Sequence, residues 1–493
     1  MPGKELLIGL VAIVFLAAVC LLAQQWGGNA KPNTPAGGPA GHSAPTPEAG
    51  SYSCEDCSVI IIAFDAMQSS HVSAYGYPLK TTPNIDNFSG KAVLFERASS
   101  PAPWTVPTYI SWFTSLYPSE HKVVNKFSFY NSTTQVVANL RNLTPNAVTL
   151  AEIMKQNGYA TVGFSGDAGA SGAYGDSLGF EIYVDTPTGF NGFDRTMPLA
   201  LNWIRNNTGK KFFMFVHGYD CHGQYNNFTN FTGRFLDFNY TGRFNGTIQE
   251  QAALREEGLA NGRINLSEND AGFWRAWYDE KINDADARFG AFIAELRDTG
   301  LLNKTIIMIA ADHGTEFYEH GKFDHGGTLY QELIHVPLVI WAPGFNGTKT
   351  VAGQVSTMDM MPTVLELLNI STNETVRRQM KGISLVPAMR GGNASRDVYS
   401  ETDYRLYTHK RAIVTADGWK FILTLAEWGN RTDVKELYNL NIDPNETTNL
   451  IDSEPRIAYE LEQKVIRHMR DMGTDWEGPW EIGCVPAYPN QCR

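Results

Sequence analysis

The sequence has a deficit of positive charge and no basic tract. Its 40 lysines and arginines are outnumbered by 52 aspartates and glutamates, which gives a formal net charge of −12. A non-specific nucleic-acid binder needs clustered lysine and arginine to neutralise phosphates, so we expect no nucleic-acid partner. Glycine and proline are ordinary in number and 43% of the 493 residues are hydrophobic, which excludes a collagen, a coiled coil and a wholly disordered chain.

Cysteine is also scarce, with six residues in the whole chain. Cys54 and Cys57 precede the first predicted strand, and Cys484 and Cys492 lie near the C-terminus, which leaves Cys221 as the odd residue beyond Cys20. Two local disulfides are the simplest pairing, and pairing between the two ends stays open. The Cys-x-x-Cys pair could also be half of a zinc site, but the sequence has no second such motif to complete it.

One long apolar run lies at the N-terminus. Residues 6–23 carry no charge and follow Lys4, and a helix of this length can cross a hydrocarbon core of about 30 Å. We predict a single-pass anchor within residues 1–26 that holds the catalytic domain outside the cell membrane. A cleaved signal peptide, and so a secreted protein, is the alternative, as is a lipoprotein attached at Cys20. Residues 27–50 are rich in Gly, Pro and Ala and predict a flexible linker.

Sequons are frequent in the chain. Sixteen Asn-x-Ser/Thr sequons lie between Asn87 and Asn445 and predict N-glycans on an exported protein, although a chain that is merely rich in Asn and Thr is the alternative. Several of them fall within residues 226–272, a polar and aromatic stretch. We predict that this stretch is an insertion beside the functional site.

Apolar runs alternate with helical patterns along the first four-fifths of the chain. Four runs are typical of strands buried on both faces of a sheet, and they cover residues 58–64, 211–216, 305–310 and 336–341. Helical patterns at residues 149–157 and 274–297 separate them. This alternation predicts an α/β fold whose central, mostly parallel sheet is flanked by helices.

The pattern changes after residue 395. Short apolar runs and a terminal helix at residues 456–472 predict a small α+β subdomain with an antiparallel sheet over residues 396–493. We therefore expect a catalytic domain over residues 51–395 and a C-terminal subdomain after it.

Chemically active residues follow the ends of the predicted strands, where α/β sheets bind their ligands. Asp65 follows the first strand and Asp312-His313 a later one, while Thr105 lies two residues before Pro107 at the start of a predicted helix. Two carboxylates, one imidazole and one hydroxyl can hold a divalent cation, and Mn²⁺, Ca²⁺ and Zn²⁺ all suit this set. Such a metal would also activate the threonine hydroxyl as a nucleophile.

Further histidines lie beside glycines in two loops. His217, Asp220 and His222 share one loop, and His320 and His325 share another. We predict that His222 and His325 assist catalysis by protonating the leaving group or holding an oxyanion, and that the other three contact substrate. A second metal held by Asp220, His222 and His325 is an alternative.

A series of motifs resembles the sulfatase-like branch of the alkaline phosphatase superfamily, over residues 57–455. The motifs are Thr82-Pro-Asn-Ile-Asp, Ser100-Pro-Ala-Pro-Trp-Thr-Val-Pro-Thr, Leu116-Tyr-Pro-Ser-Glu-His, Ala311-Asp-His-Gly-Thr-Glu, Gly326-Gly-Thr-Leu-Tyr-Gln-Glu and Met358-Asp-Met-Met-Pro-Thr. The resemblance implies an alkaline-phosphatase-like sandwich. It also implies specific roles, namely a metal held by Asp65, Asp312 and His313, a nucleophile at Thr105, and anion contacts from His222 and His325.

The chain departs from the sulfatases proper at the nucleophile. They carry Cys/Ser-x-Pro-Ser-Arg, whose first residue is oxidised to formylglycine, whereas this chain runs from Thr105 to Tyr109 and lacks both the oxidisable residue and the arginine. Ala66 replaces the family's second aspartate. The lysine and histidine of the family's Gly-Lys-Trp-His segment fall near Gly166 and Ala168.

These departures favour phosphorus over sulfur as the atom attacked. We therefore predict a metal-dependent hydrolase or transferase that cleaves phosphate mono- or diesters through a threonine nucleophile. Its substrate would be an anionic ester such as a phospho- or sulfo-glycan or a lipid headgroup. A sulfate-ester hydrolase is the alternative within the family, and a catalytically inactive surface glycoprotein that binds a glycan or partner is the alternative from another class.

Overall fold

The structure, a computed structural model, describes most of the chain from Cys54 to Thr474. Within this span it omits residues 125–127, 132–133, 138–142, 145, 167–168, 173–174, 186–189, 224, 226–231, 345–348, 394, 407 and 428–429. The predicted N-terminal anchor and linker lie outside the described residues.

The strands, in chain order, are β1 (Ser58–Phe64), β2 (Val93–Ser99), β3 (Ser128–Asn131), β4 (Thr134–Val137), β5 (Ala160–Phe164), β6 (Ile182–Val184), β7 (Phe212–Gly218), β8 (Thr305–Ala311), β9 (Glu316–Phe317), β10 (Phe323–Asp324), β11 (His335–Val336), β12 (Leu338–Trp341), β13 (Lys349–Ser356), β14 (Val398–Thr402), β15 (Thr408–Val414), β16 (Trp419–Glu427) and β17 (Asn430–Asn439).

The α-helices are α1 (Pro83–Ser89), α2 (Thr105–Thr114), α3 (Pro118–His121), α4 (Leu150–Gln156), α5 (Phe193–Asn206), α6 (Ile248–Asn261), α7 (Glu268–Asp298), α8 (Gln331–Ile334), α9 (Met360–Leu367), α10 (Glu374–Gln379), α11 (Val386–Met389) and α12 (Pro455–Asp471). Short 3-10 turns lie at Ser69–His71, Ser73–Tyr75, Leu301–Lys304, Thr357–Asp359 and Tyr404–Leu406.

A large mixed sheet forms the centre of the fold. Its strand order is β11-β2-β12-β8-β1-β7-β5-β6, with β13 parallel to β2. Strands β8, β1, β7, β5 and β6 are mutually parallel, whereas β12 is antiparallel to both β8 and β2. The prediction of a mostly parallel sheet flanked by helices is confirmed.

Strand β1 shows why the centre of this sheet is buried on both faces. All seven of its residues are buried, and alternate side chains point to opposite faces. Val59 and Ile61 pack in the cluster that includes residues of α2 and α9, while Ile60 and Ile62 pack in the cluster that includes residues of α5 and α7. The continuous apolar run is therefore explained by helices on both sides.

The register of the parallel strands brings the site together. Phe64 at the end of β1 pairs with Gly218 of β7 and with Ala311 of β8. The next residues, Asp65 and Asp312, therefore leave the sheet side by side. Because β12 is antiparallel to both β8 and β2, β2 also ends at this edge, ahead of α2.

The C-terminal region forms a separate antiparallel sheet in the order β14-β15-β16-β17, as predicted. Helix α12 packs on one face, where Leu461 and Val465 meet Phe421 and Leu437. The other face packs against α8 through Leu333 and Ile334. The boundary at residues 395 and 396 stays a prediction.

Several element boundaries differ from those predicted. The run at 336–341 is divided into β11 and β12 around Pro337, which has no N–H for a ladder hydrogen bond, and both pieces are antiparallel to their neighbours. Strand β7 extends to Gly218 and so includes His217. Helix α7 begins at Glu268, capped by Ser267, and therefore takes in the end of the predicted insertion.

The expected single-pass membrane location is contradicted. Among the described residues, no helix is both long enough and apolar enough to cross a bilayer.

The structure joins Cys54 and Cys57 in a disulfide and leaves Cys221 as a buried thiol. Cys484 and Cys492 lie outside the described residues.

Candidate active site

Three ligand-type side chains meet at the carboxyl ends of β1 and β8. Asp65, Asp312 and His313 are all fully buried, and one potential ligand atom from each lies within 4.8 Å of the others. Two buried carboxylates this close repel each other unless a positive charge lies between them. The set therefore fits a divalent cation.

Asp312 is oriented by backbone hydrogen bonds. Its Oδ1 accepts from the N–H of Ala66 at 3.0 Å and from the N–H of His313 at 2.9 Å. Its Oδ2 is buried, makes no hydrogen bond, and lies 3.4 Å from His313 Nε2. One carboxylate oxygen is therefore held by the backbone, and the other is left for the cluster.

The His313 ring is oriented by its own loop. His313 Nδ1 lies 2.7 Å from the carbonyl oxygen of Gly314, and since a carbonyl only accepts, Nδ1 carries the proton. This hydrogen bond leaves Nε2 as the ring atom that can offer its lone pair to a metal. This Nε2 lies 3.3 Å from Thr105 Oγ1 and 3.6 Å from Asp65 Oδ1.

Thr105 is brought to the cluster by the start of α2. It is the first residue of that helix and is almost fully buried. Ser100 ties the preceding loop to the cluster, because its Oγ donates to the carbonyl oxygen of either Ala102 or Asp312, at 2.7 and 2.5 Å. The predicted position of the threonine hydroxyl at a helix N-terminus agrees with the structure.

Tyr109 and His217 support this group of residues. Tyr109, which stands where the family has its arginine, is buried with its ring edge on Phe215 and His217. His217 Nε2 lies 3.0 Å from Asp65 Oδ2 and its Nδ1 lies 3.3 Å from Ser165 Oγ. His217 therefore contacts a candidate metal ligand, and its predicted contact with substrate stays a prediction.

A second cluster lies beside the first and contains His222, Asp324 and His325. The Nε2 atoms of the two histidines are 2.7 Å apart, so the N–H of one ring donates a hydrogen bond to the nitrogen of the other. His325 Nε2 also lies 3.2 Å from Asp324 Oδ1. The His325 ring centroid is 4.4 Å from that of His313. The two clusters are therefore adjacent parts of one site.

Asp220 lies elsewhere, although it was predicted to join His222 and His325. Its Oδ2 accepts from the N–H of Phe193 at 2.8 Å, at the start of α5, and its Oδ1 lies 4.0 Å from Arg288 Nε. Burial raises the pKa of Asp220 to about 6. The structure thus corrects the predicted second set, with Asp324 in the place of Asp220.

His320 is engaged by the C-terminal part of the chain. Its Nδ1 bonds to Glu332, its Nε2 lies 3.2 Å from the Glu446 carbonyl oxygen, and its ring stacks on Tyr330 at 3.6 Å. Burial lowers the pKa of His320, but the Glu332 carboxylate outweighs it and raises that pKa to about 9. The predicted contact of His320 with substrate stays a prediction.

Three residues near the second cluster were missed from the sequence. Asp324 had a signal, since Asp324-His325-Gly repeats the Asp-His-Gly of the first cluster. Arg255 of α6, whose Nη1 lies 3.1 Å from Asp324 Oδ2, and Tyr404, whose ring lies 6.3 Å from that of His325, had none. They reach the site only through the packing of α6 and the C-terminal region on it.

The central, mostly parallel sheet flanked by helices matches the alkaline-phosphatase-like fold of the sulfatases. The family model for sulfatases matches residues 58–370, and the model for the C-terminal region of N-sulphoglucosamine sulphohydrolase matches residues 318–472. The chain belongs to the sulfatase family, which confirms the resemblance seen in its motifs.

Curated relatives include arylsulfatase K. The chain is 32% identical to arylsulfatase K of Gallus gallus over 203 residues, which are 39% of this chain and 36% of that protein. It is 28% identical to arylsulfatase K of Homo sapiens over 209 residues, again 39% and 36%. The chain therefore spans little more than a third of the length of these relatives.

Solved structures share the fold. A 2-O GAG sulfatase superposes with a TM-score of 0.69 at 20% identity, covering 89% of this chain and 96% of that one. The phosphonate monoester hydrolase of Agrobacterium radiobacter superposes with a TM-score of 0.66 at 18% identity, covering 84% and 96%. The predicted fold class is confirmed by both.

Proposed function

We propose that this protein is a metal-dependent hydrolase of sulfate esters, with a sulfated glycan as its substrate. The observation that carries the proposal is the convergence of Asp65, Asp312, His313 and Thr105 on one buried volume. The relatives named arylsulfatase K and the structural neighbour named as a 2-O GAG sulfatase support sulfur as the atom attacked. This order reverses the two ester classes predicted from the sequence.

Thr105 supplies the nucleophile in this proposal. A divalent cation held by Asp65, Asp312 and His313 would supply positive charge that lowers the pKa of the hydroxyl and screens the ester oxygens. The threonine hydroxyl loses its proton to solvent, its oxygen attacks sulfur, the bond from sulfur to the alcohol oxygen breaks, and a sulfo-threonine ester forms. Water then attacks the same sulfur, the bond from sulfur to Thr105 Oγ1 breaks, sulfate leaves, and a proton from the water restores the threonine hydroxyl.

The His222–His325 pair handles the proton of the leaving group. Its two Nε2 atoms share one proton across 2.7 Å, and the ring that holds it can pass it to the departing alcohol oxygen. Asp324 lies beside this pair, with its Oδ1 3.2 Å from His325 Nε2. The same three residues could instead hold a second cation.

A second candidate function is the hydrolysis of phosphonate monoesters or phosphodiesters. The specific observation that favours it is Thr105 itself, which cannot be oxidised to formylglycine, together with Tyr109 in the place of the family's arginine. A threonine ester must be resolved by attack at its central atom, and reduced positive charge suits a monoanionic ester. The phosphonate monoester hydrolase among the structural neighbours supports this candidate.

One substrate comparison separates these candidates. We expect kcat/KM for an aryl sulfate to exceed that for the matching aryl phosphonate monoester and aryl phosphodiester by at least about tenfold, or about 1.4 kcal/mol, with Mn²⁺, Ca²⁺ or Zn²⁺ supplied. A preference for either phosphorus ester would favour the second candidate function. If the protein binds metal but turns over none of the three esters, the remaining hypothesis is a catalytically inactive binding protein.

The nucleophile has its own test. Thr105→Ala should lower kcat about 10³-fold or more on the preferred ester, since it removes both the attacking oxygen and a hydroxyl ligand. Thr105→Ser keeps the oxygen and should retain part of the activity. Wild-type turnover in the alanine variant would exclude a threonine nucleophile, whichever ester is preferred.

A further inference from the structure

The turn after β1 contains a residue in an unfavourable conformation. Ala66 has φ of +58°, in the left-handed region, which costs a residue with a side chain about 1 kcal/mol or more. Ala66 directly follows the candidate ligand Asp65. Its N–H is one of the two that hold Asp312 Oδ1. The turn therefore needs an outside support to present that N–H correctly.

The support comes from the middle of α7. Tyr278 is fully buried, and its hydroxyl donates to the carbonyl oxygen of Ala66 at 2.7 Å. The same hydroxyl oxygen accepts from the N–H of Gln68, also at 2.7 Å. Burial raises the pKa of Tyr278 well above its ordinary value, so the hydroxyl keeps the proton that it donates.

The next residue of α7 holds the far end of the same loop. Asp279 accepts from Tyr77 Oη at 2.7 Å and lies 2.6 Å from His71 Nδ1. Helix α7 thus contacts the loop after β1 at two points. Tyr278 holds it beside the cluster, and Asp279 holds it farther away. Of these two contacts, the Tyr278 hydrogen bond is the one that ends on Ala66, whose N–H bonds to the candidate ligand Asp312.

We propose that Tyr278 is a positioning residue for the Asp65, Asp312 and His313 cluster. Its hydroxyl holds the Ala66 turn in the left-handed conformation, which places the Ala66 N–H on Asp312 Oδ1 and so aims Oδ2 at the cluster. The inference rests on the proposed function, because the cluster must hold a metal for its aim to matter.

Tyr278→Phe tests the proposal because it removes the hydroxyl and keeps the ring. We expect the metal-free variant to bind Mn²⁺ at least tenfold more weakly than the wild type by calorimetry. Tyr75→Phe is the matched control, since the Tyr75 hydroxyl also bonds to backbone, accepting from Leu338 N and donating to the Phe95 carbonyl oxygen. It should lower Tm of the metal-free protein but leave the Mn²⁺ affinity within twofold.

Ala66→Gly adds a test that a merely structural role would not pass. Glycine adopts the left-handed conformation without cost, so the turn should depend less on Tyr278 in that background. We expect the fold loss of Mn²⁺ affinity caused by Tyr278→Phe to be at least three times smaller in the Ala66→Gly background than in the native background. This background also supplies a measurement should Tyr278→Phe alone fail to fold.

Each outcome has one meaning. Wild-type protein that binds no Mn²⁺, Ca²⁺ or Zn²⁺ would overturn the proposed function, and the positioning role with it. Wild-type protein that binds metal, while Tyr278→Phe binds it equally well or loses no more than Tyr75→Phe, would overturn the positioning role alone. Equal losses from Tyr278→Phe in both backgrounds would likewise exclude an action through the Ala66 turn.

Discussion

The two Asp/His clusters of the site differ in how the chain builds them. The first takes Asp65 and Asp312 from the ends of adjacent parallel strands, in a register set by the ladders of β1 and β8. The second takes His222 from the loop after β7, Asp324 from the end of β10 and His325 from the residue that follows β10. One cluster is thus an extension of the sheet, and the other is assembled by loops.

The two clusters also differ in solvent exposure and in the contacts that support them. All three residues of the first cluster are 0% exposed, whereas in the second Asp324 is 0% exposed and His222 and His325 are each 8% exposed. Backbone groups of their own turns orient Asp312 and His313 in the first cluster. In the second cluster the side chain of Gln251 donates to the carbonyl oxygen of His222 at 2.9 Å. We therefore expect the first cluster to bind the cation and the second to tolerate more change.

The largest expected effect is on the first cluster. Asp312→Ala should abolish Mn²⁺ binding and lower kcat about 10³-fold or more, because it removes a ligand and leaves Asp65 without its partner. Asp286→Ala is the matched control, since Asp286 is also buried and accepts two backbone N–H bonds, from Asn84 and Ile85. It should cost stability but keep metal binding. Unchanged metal content in Asp312→Ala would exclude the predicted site.

A smaller effect is expected from the second cluster. Asp324→Asn should lower kcat about 10- to 100-fold, because His325 loses the carboxylate beside its Nε2. Asp220→Asn should change kcat less than threefold, since Asp220 faces α5. The opposite ranking of these two variants would restore the set predicted from the sequence. If the wild type binds two metal ions per chain and Asp324→Asn binds one, the second cluster is a metal site rather than a proton donor.

Asp220 also predicts a dependence of stability on pH. An acid whose pKa is raised on folding, here to about 6, destabilises the folded state as pH rises from about 4 to 6, because it must then ionise in a buried place. Asp220→Asn should therefore flatten the fall of Tm over this window. An equally steep fall in the variant would show that another group is responsible.

The first cluster could be predicted from the sequence because strand ends obey a simple rule. A continuous apolar run identifies a central strand, and neighbouring parallel strands end at one edge. The predicted bounds of β1, residues 58–64, are those observed. Asp65, Asp312 and His313 follow from this rule without knowledge of any loop, and the family motifs added only their roles, which stay predictions.

The second cluster could not be predicted in full because loop direction depends on tertiary packing. Asp220 and His222 are two residues apart, yet one faces the start of α5 and the other faces His325. Asp324 has φ of +76°, a left-handed conformation that propensity does not predict for aspartate in a strand-like run. The contacts of His320 could not be predicted for the same reason, since its partners Glu332 and Glu446 are distant in sequence.

The smallest expected effect on catalysis comes from His320, which tests whether it belongs to the site at all. Its pKa of about 9 in the folded chain lies above the unfolded value of about 6.5, so its pairing stabilises the fold fully below pH 6.5 and is lost as pH rises through 9. His320→Gln should therefore lower Tm clearly at pH 6, and hardly at pH 10, while kcat stays within threefold of the wild type. Glu332→Gln removes the partner that raises this pKa and should flatten the same pH profile. A tenfold loss of kcat in His320→Gln at unchanged Tm would return this histidine to the substrate contacts and join the C-terminal region to the chemistry.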